Sequence, residues 1–237
     1  MRLAMWSGPR NLSTAMMYAF GARGDCAVID EPFYAAYLAA TGLDHPMKDA
    51  ILAAQPTDPD AVVAQITGPI PGGAAHFYQK HMTHHMLPDS PKQWMRGMVN
   101  VFLIRHPARV IASYAAKREN PTLEDIGFRQ QAELFEAVKG WQGSPIVIDS
   151  TDIRQDPEKM LKRLCRTIGL PFTPKMLHWP RGGHPDDGAW APHWYGSVWS
   201  STGFAGAEGP LPRVPGHLQS VLDQALPYYH QLRQVAL

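Results

Sequence analysis

The sequence predicts an α/β protein, a three-layer α/β/α arrangement in which a parallel sheet is flanked by helices. Three observations carry this. Short apolar runs rich in branched and aromatic residues recur along the 237 residues; several are apolar almost throughout, as strands covered on both faces are; and helical patterns separate one run from the next. Such alternation implies right-handed crossovers between parallel strands. The length suffices for one substantial core, so a single domain over residues 1–237 is expected.

In chain order, RLAMWS (2–7) is the first strand, followed by a turn and a helix over 12–20. CAVIDE (26–31) is the second strand and 32–40 the second helix. Residues 41–75 read as a helical insertion containing KDAILAAQPTDPDAVVAQI, with a helix at 61–66. AHFYQKHM (75–82), NVFLIR (100–105) and SPIVIDS (144–150) supply the remaining strands, and helices are expected over 107–118, 122–139 and 157–168. Pro107 and Pro157 each stand where a first helical residue can lack its N–H, and Asp156 is placed to cap the helix after it. Residues 179–215 are rich in Gly, Pro, Trp and His without a period, which predicts a long irregular loop or lid. A last helix over 216–236 gathers Leu218, Val221, Leu222, Ala225, Leu226, Tyr229 and Leu232 on one face.

Composition narrows the function. Lys and Arg total 22 against 21 Asp and Glu, so no broad positive field exists to hold a nucleic acid, and any anion must be met locally. Cys26 and Cys165 both fall in core elements, as reduced thiols of a cytoplasmic protein would. One arginine precedes LAMW before the break at Gly8-Pro9, too short for a signal peptide or membrane span. A soluble, cytoplasmic protein without membrane or nucleic-acid partners is the expectation, with the oligomeric state left open.

The segment SGPRNLST (7–14) joins the first strand to the first helix. Free N–H groups and the hydroxyls of Ser13 and Thr14 would converge there, a geometry that suits phosphate. The signature G-x-x-x-x-G-K-[ST] is absent, since Leu12 fills the place of Gly-Lys and the loop's cation is Arg10. In FLIRHPARVIASYAAK (102–117), Arg105 ends a buried strand and Ser113 lies two turns into the next helix, so both reach the carboxyl edge of the sheet. VIDSTDIRQDPEKMLKRLCRTIGLPF (147–172) and RGGHPDDGAW (181–190) follow downstream.

In the order and spacing of these segments the chain resembles the PAPS-dependent sulfotransferases, an α/β family of the P-loop type, and within it the bacterial and plant branch. The resemblance implies that Gly8, Pro9, Arg10, Asn11, Ser13 and Thr14 form a 5′-phosphosulfate loop, that Arg105 and Ser113 hold the 3′-phosphate, and that Arg181, Gly182 and Gly183 begin a late loop folding over it. It also implies PAPS (3′-phosphoadenylyl sulfate) as co-substrate, no metal, and a small hydroxyl-bearing acceptor. Several positions depart from the family's pattern: Arg10 replaces lysine, Leu12 glycine and Ala15 an adenine-stacking tryptophan; Ser150 sits near a usual tyrosine; and Gly182 replaces lysine, with two residues inserted before Gly188.

Sulfuryl transfer through a loose, in-line transition state asks for positioning and charge stabilisation, which Arg10 would supply at the bridging oxygen. The acceptor hydroxyl needs a base. Glu31, just after the second strand, and His81, in FYQKHM beside Lys80, are both candidates. Glu31, Tyr34 and Lys80, with Trp190, Trp194 and Tyr195 from the aromatic stretch WAPHWYGSVWSSTGF, are candidate acceptor-binding residues. HMTHH (81–85) is histidine-rich without a ligand spacing that demands a metal. The rivals are an ATP-dependent small-molecule kinase and a nucleotide-binding protein without turnover.

Overall fold

The protein is described here by a computed structural model covering residues 1–116 and 120–237. Strands β1 (Arg2–Ser7), β2 (Cys26–Asp30), β3 (His76–Met82), β4 (Val99–Ile104) and β5 (Ile146–Asp149) form one sheet in the order β2-β3-β1-β4-β5, with all pairings parallel. The α/β expectation is met, with helices on both faces. Alternation along β1 shows how the layers are made. Leu3 and Met5 pack with α1 (Ser13–Gly21) and α9 (Pro157–Thr167) on one face. Ala4 and Trp6 pack with α5 (Pro107–Ala115), α7 (Phe128–Gln142) and α12 (Gln219–Arg233) on the other.

The insertion after α2 (Tyr34–Thr41) holds α3 (Lys48–Ala54) and α4 (Pro59–Thr67). A third apolar cluster fastens α2 and α3 to the late segment: Tyr34, Leu38 and Ile51 pack with Trp190 and Tyr195. That late segment contains α10 (Ala191–Trp194) and α11 (Gly196–Trp199), so it is less irregular than its composition suggests. A short helix α8 (Ser150–Gln155), capped by the Asp149 side chain, continues directly from β5.

Three expected helices differ in extent, the last of them, over 216–236, being a 3₁₀ turn (Gly216–Leu218) followed by α12. The pattern over 122–139 is two helices, α6 (Leu123–Ile126) and α7, because Gly127 between them turns to φ 68°. A Cβ there would stand 2.7 Å from Thr83 Oγ1, so glycine serves both the turn and the close approach. The helix expected over 107–118 is described as far as Ala115; Lys117 and Arg118 lie outside the described residues. Among the described residues no helix is long and apolar enough to cross a membrane.

Candidate active site

The turn after β1 is built to a tight shape. A Cβ on Gly8 would lie 2.4 Å from the Ile126 carbonyl oxygen, so only glycine lets the chain leave the strand here. Arg10 and Leu12 then adopt φ 61° and φ 70°. Left-handed backbone of this kind costs an L-residue about 1–2 kcal/mol, so neighbouring contacts must hold it. They do. Buried Asn11 donates from Nδ2 to the Leu103 carbonyl (3.2 Å), and Arg105 Nη1 donates to the Arg10 carbonyl (2.6 Å). Arg10 in turn donates from Nε to Ser113 Oγ (2.9 Å) and from Nη1 to the Trp194 carbonyl (3.4 Å). The first loop, the tip of β4 and α5 are thereby one unit.

Helix α1 starts at Ser13 without a side-chain cap, which leaves its first turn to face a ligand. Burial and the nearby Arg105 charge hold the Arg10 guanidinium below its ordinary value, a cost that an anion beside Arg10 would relieve. Among the described residues, buried Arg105 Nε has no hydrogen-bond partner.

These groups open on a cavity of about 540 Å³. Pro9 through Ala15, Arg105, Ser113 and Tyr114 line one part of it; Glu31, Tyr34, Lys80, Trp190 and Tyr195 line another. Trp194 lies between, its ring stacked on Tyr114 at 6.1 Å.

The second part is a buried ionic cluster. Lys80 Nζ, on a side chain 1% exposed, donates to Asp30 Oδ1 (2.7 Å), Glu31 Oε1 (2.5 Å) and the Tyr195 hydroxyl (2.6 Å). Tyr195 donates to Asp30 Oδ2 (2.7 Å) and accepts from Trp190 Nε1 (2.9 Å), while Gly188 N donates to the same Asp30 oxygen (3.1 Å). Asp30 is thus occupied on both oxygens. Glu31 differs: its side-chain hydrogen bonds among the described residues all fall on Oε1. Its backbone is left-handed, φ 40°, just past the end of β2, with Glu31 N bonded to the Lys80 carbonyl (2.9 Å). Burial pushes the Glu31 carboxyl above its ordinary range, only partly opposed by Lys80. Burial also works to lower Lys80, yet Asp30 and Glu31 outweigh it and hold the ammonium above its ordinary value.

The structure does not bring every expected residue to the cavity. His81 follows Lys80 in β3 and therefore points to the opposite face, where it stacks on Trp6 (centroids 4.6 Å apart) near Trp94. Its Nε2 pairs with Gln79 (3.2 Å), and burial lowers its pKa to about 3, a neutral ring inside the core. Arg181 is exposed, and neither it nor Gly182 nor Gly183 lines the cavity. The two inserted residues instead carry Asp187, whose Oδ2 accepts from Tyr18 (2.6 Å), Trp199 Nε1 (2.9 Å) and His184 N (2.9 Å), pinning the late loop against α1. Gly8 does not line the cavity either.

Other residues reach the cavity unannounced by local pattern, Arg154, Trp179 and His45, and His84 and His85 of HMTHH line it too rather than lying at the surface. Asp30 stands behind it. Of these, Asp30 had a visible signal, the paired acids of VIDEP (28–32). Among the described residues no group of His, Cys, Asp or Glu is arranged to hold a metal ion.

Known proteins share this framework. Two proteins of Arabidopsis thaliana, branched-chain-amino-acid aminotransferase-like proteins 2 and 1, are each 35% identical over 228 residues, 96% of this chain. The chain spans about two-fifths of their length, 40% and 41%. Among solved structures, the sulfotransferase domain from the curacin biosynthetic pathway superimposes with a TM-score of 0.53 at 15% identity, covering 94% of this chain and 96% of that one. The sulfotransferase domain from the Synechococcus PCC 7002 olefin synthase gives 0.52 at 16%, covering 94% of each chain. At such identities the likeness is one of fold. The sulfotransferase domain family, however, matches residues 1–236, and the chain belongs to that family.

Proposed function

We propose that the cavity binds PAPS and that the chain transfers its sulfuryl group to a small hydroxyl-bearing acceptor. The observation that carries this reading is the linkage of Arg10, Ser113 and Arg105 beside one cavity whose other wall is the Glu31–Lys80 pair. A nucleotide with phosphates on both its 5′ and 3′ sides fits two cationic stations joined in this way. Arg105 Nε, without a hydrogen-bond partner among the described residues, and the depressed Arg10 guanidinium both favour an added anion.

PAPS supplies the activated sulfuryl group. Arg10, with the amides at the start of α1 and the hydroxyls of Ser13 and Thr14, would hold the 5′ side and offset charge developing on the bridging oxygen. Arginine suits this as a bidentate, permanently charged fork. Arg105 and Ser113 would hold the 3′-phosphate.

Glu31 is the base in this account. Its raised pKa matches it to a proton taken near neutrality, and Oε2 is left to receive that proton from the acceptor hydroxyl as its oxygen bonds to sulfur. Lys80 and Tyr195 would fix Glu31 in place, and Tyr34, Trp190 and Trp194 would enclose the acceptor and exclude water. His81, enclosed among Trp6, Phe33 and Trp94, has no path to a substrate.

Calorimetric binding of adenosine 3′,5′-bisphosphate, adenosine 5′-phosphate and ATP with Mg²⁺ tests the reading. The bisphosphate should bind most tightly, and Arg105→Ala should weaken it at least tenfold, since a hydrogen bond to a charged group contributes about 1.5–3 kcal/mol. Preference for ATP with Mg²⁺ would overturn the assignment in favour of a kinase.

A further inference from the structure

The segment after α11 places a carboxylate where the nucleotide's second phosphate would be sought. Glu208 sits in AGAEGP (205–210), and its side chain is only 3% exposed. Three arginines surround it. Arg105 Nη2 donates to Oε1, Arg154 Nη1 donates to the same oxygen (2.9 Å), and Arg109 Nε lies 3.1 Å from Oε2. These arginines come from the tip of β4, the first turn of α5 and α8, the last two being the helices that directly follow β4 and β5.

The carboxylate itself rides on something much less anchored. Among the described residues, every hydrogen bond made by residues 205–210 goes to those same arginines: Arg154 Nε donates to the Gly206 carbonyl (2.9 Å) and Arg109 Nη2 to the Gly209 carbonyl. The residues around Glu208 are exposed, and both flanking glycines face open space. Arg105 and Arg154, with Gly203 through Ala205, also line the cavity, so the arginine cluster is continuous with it.

Charge decides what such a cluster prefers. Three guanidinium groups facing one carboxylate leave an excess of two positive charges, before Arg10 is counted. A phosphate monoester carries about −1.5 to −2 at neutral pH and presents three acceptor oxygens, a closer match than Glu208 in both charge and number of acceptors. We propose that Arg109 and Arg154 complete, with Arg105, the site for the 3′-phosphate, and that Glu208 occupies it as an internal stand-in which the nucleotide must displace, releasing residues 205–210. The inference rests on the proposed use of PAPS. It adds two cations to that site and makes the late segment a strap whose release reports occupancy.

The test compares adenosine 3′,5′-bisphosphate with adenosine 5′-phosphate at fixed ionic strength, on the wild type, Glu208→Gln and Arg154→Gln. Glu208→Gln should tighten the bisphosphate about tenfold and leave the monophosphate unchanged; Arg154→Gln should weaken the bisphosphate about tenfold, again sparing the monophosphate. As a readout independent of substitution, cleavage after Glu208 by a glutamate-specific protease should accelerate when the wild type is saturated with bisphosphate, since the buried carboxylate would then be released to solvent. A wild type that prefers the bisphosphate while Glu208→Gln leaves its affinity unchanged overturns the stand-in and leaves the PAPS reading intact, as does cleavage that stays unaltered. Bisphosphate binding no tighter than monophosphate in wild type and Glu208→Gln alike overturns both.

Discussion

Lys80→Met is the substitution whose outcome the structure fixes most sharply. Methionine keeps much of the length and volume of lysine while removing the ammonium that serves Asp30, Glu31 and Tyr195 at 2.7, 2.5 and 2.6 Å. Asp30 and Glu31 are 3% and 7% exposed, so water cannot replace what is lost. Breaking a buried ion pair from one side costs about 3–5 kcal/mol, because the surviving charge stays in a poor solvent. Against a whole-protein stability of about 5–15 kcal/mol, this would lower the urea midpoint severely without abolishing folding.

The loss should depend on pH in a defined sense. Glu31 already has a folded pKa above its unfolded value, and removing Lys80 takes away a charge that lowers it. A carboxyl with a raised folded pKa is penalised when ionised, and the penalty fades as pH falls through that pKa toward the unfolded value. The difference between Lys80→Met and wild type should therefore shrink in acid, and adding Asp30→Asn should recover part of it at pH 7.5. An unfolding free energy within about 0.5 kcal/mol of wild type at pH 7.5, or a difference that grows in acid, would refute the buried cluster.

Three further outcomes follow from the same geometry. Gly8→Ala places a Cβ 2.4 Å from the Ile126 carbonyl, so the first loop must shift; a loss of about 1–3 kcal/mol in thermal or urea unfolding, with weakened bisphosphate binding, is expected. His81 and His85 are buried and neutral, with pKa values lowered to about 3 and well below the ordinary value. Their contribution is complete above the unfolded pKa of 6.5 and is lost as pH falls below it, about 1.4 kcal/mol each at pH 5.5, so the loss of stability between pH 7.5 and 5.5 should be smaller in His81→Phe than in wild type by about that amount. His81→Phe should leave turnover within threefold, because the ring stands in an aromatic stack away from the cavity; a hundredfold fall in kcat would return the role of base to His81.

The sheet was legible because buried parallel strands write themselves as apolar runs, and RLAMWS, AHFYQKHM and NVFLIR correspond within a residue to β1, β3 and β4. The pattern over 122–139 reads as one helix because helical periodicity continues on both sides of Gly127, while the reason for the break, Thr83, lies 44 residues away. The first loop could be placed, yet its left-handed Leu12 is invisible in a sequence that puts leucine where a glycine would be expected. Lys80 and His81 illustrate the limit for side chains. Alternation says that only one of two adjacent strand residues faces a given layer, but which one depends on the burial of Trp6 and Trp94, which the local pattern does not encode. Arg154 and Glu208 were harder still, being joined across 54 residues through a segment without periodicity.

The most direct test of the account is transfer of labelled sulfate from PAPS to a mixture of small hydroxyl-bearing metabolites, run with wild type and Glu31→Gln in parallel. Wild type should produce labelled acceptor, and Glu31→Gln should be slower by a factor of about 10²–10⁴ with unchanged affinity for adenosine 3′,5′-bisphosphate. Full transfer by Glu31→Gln, or no labelled product from a wild type that binds the bisphosphate normally, would contradict it.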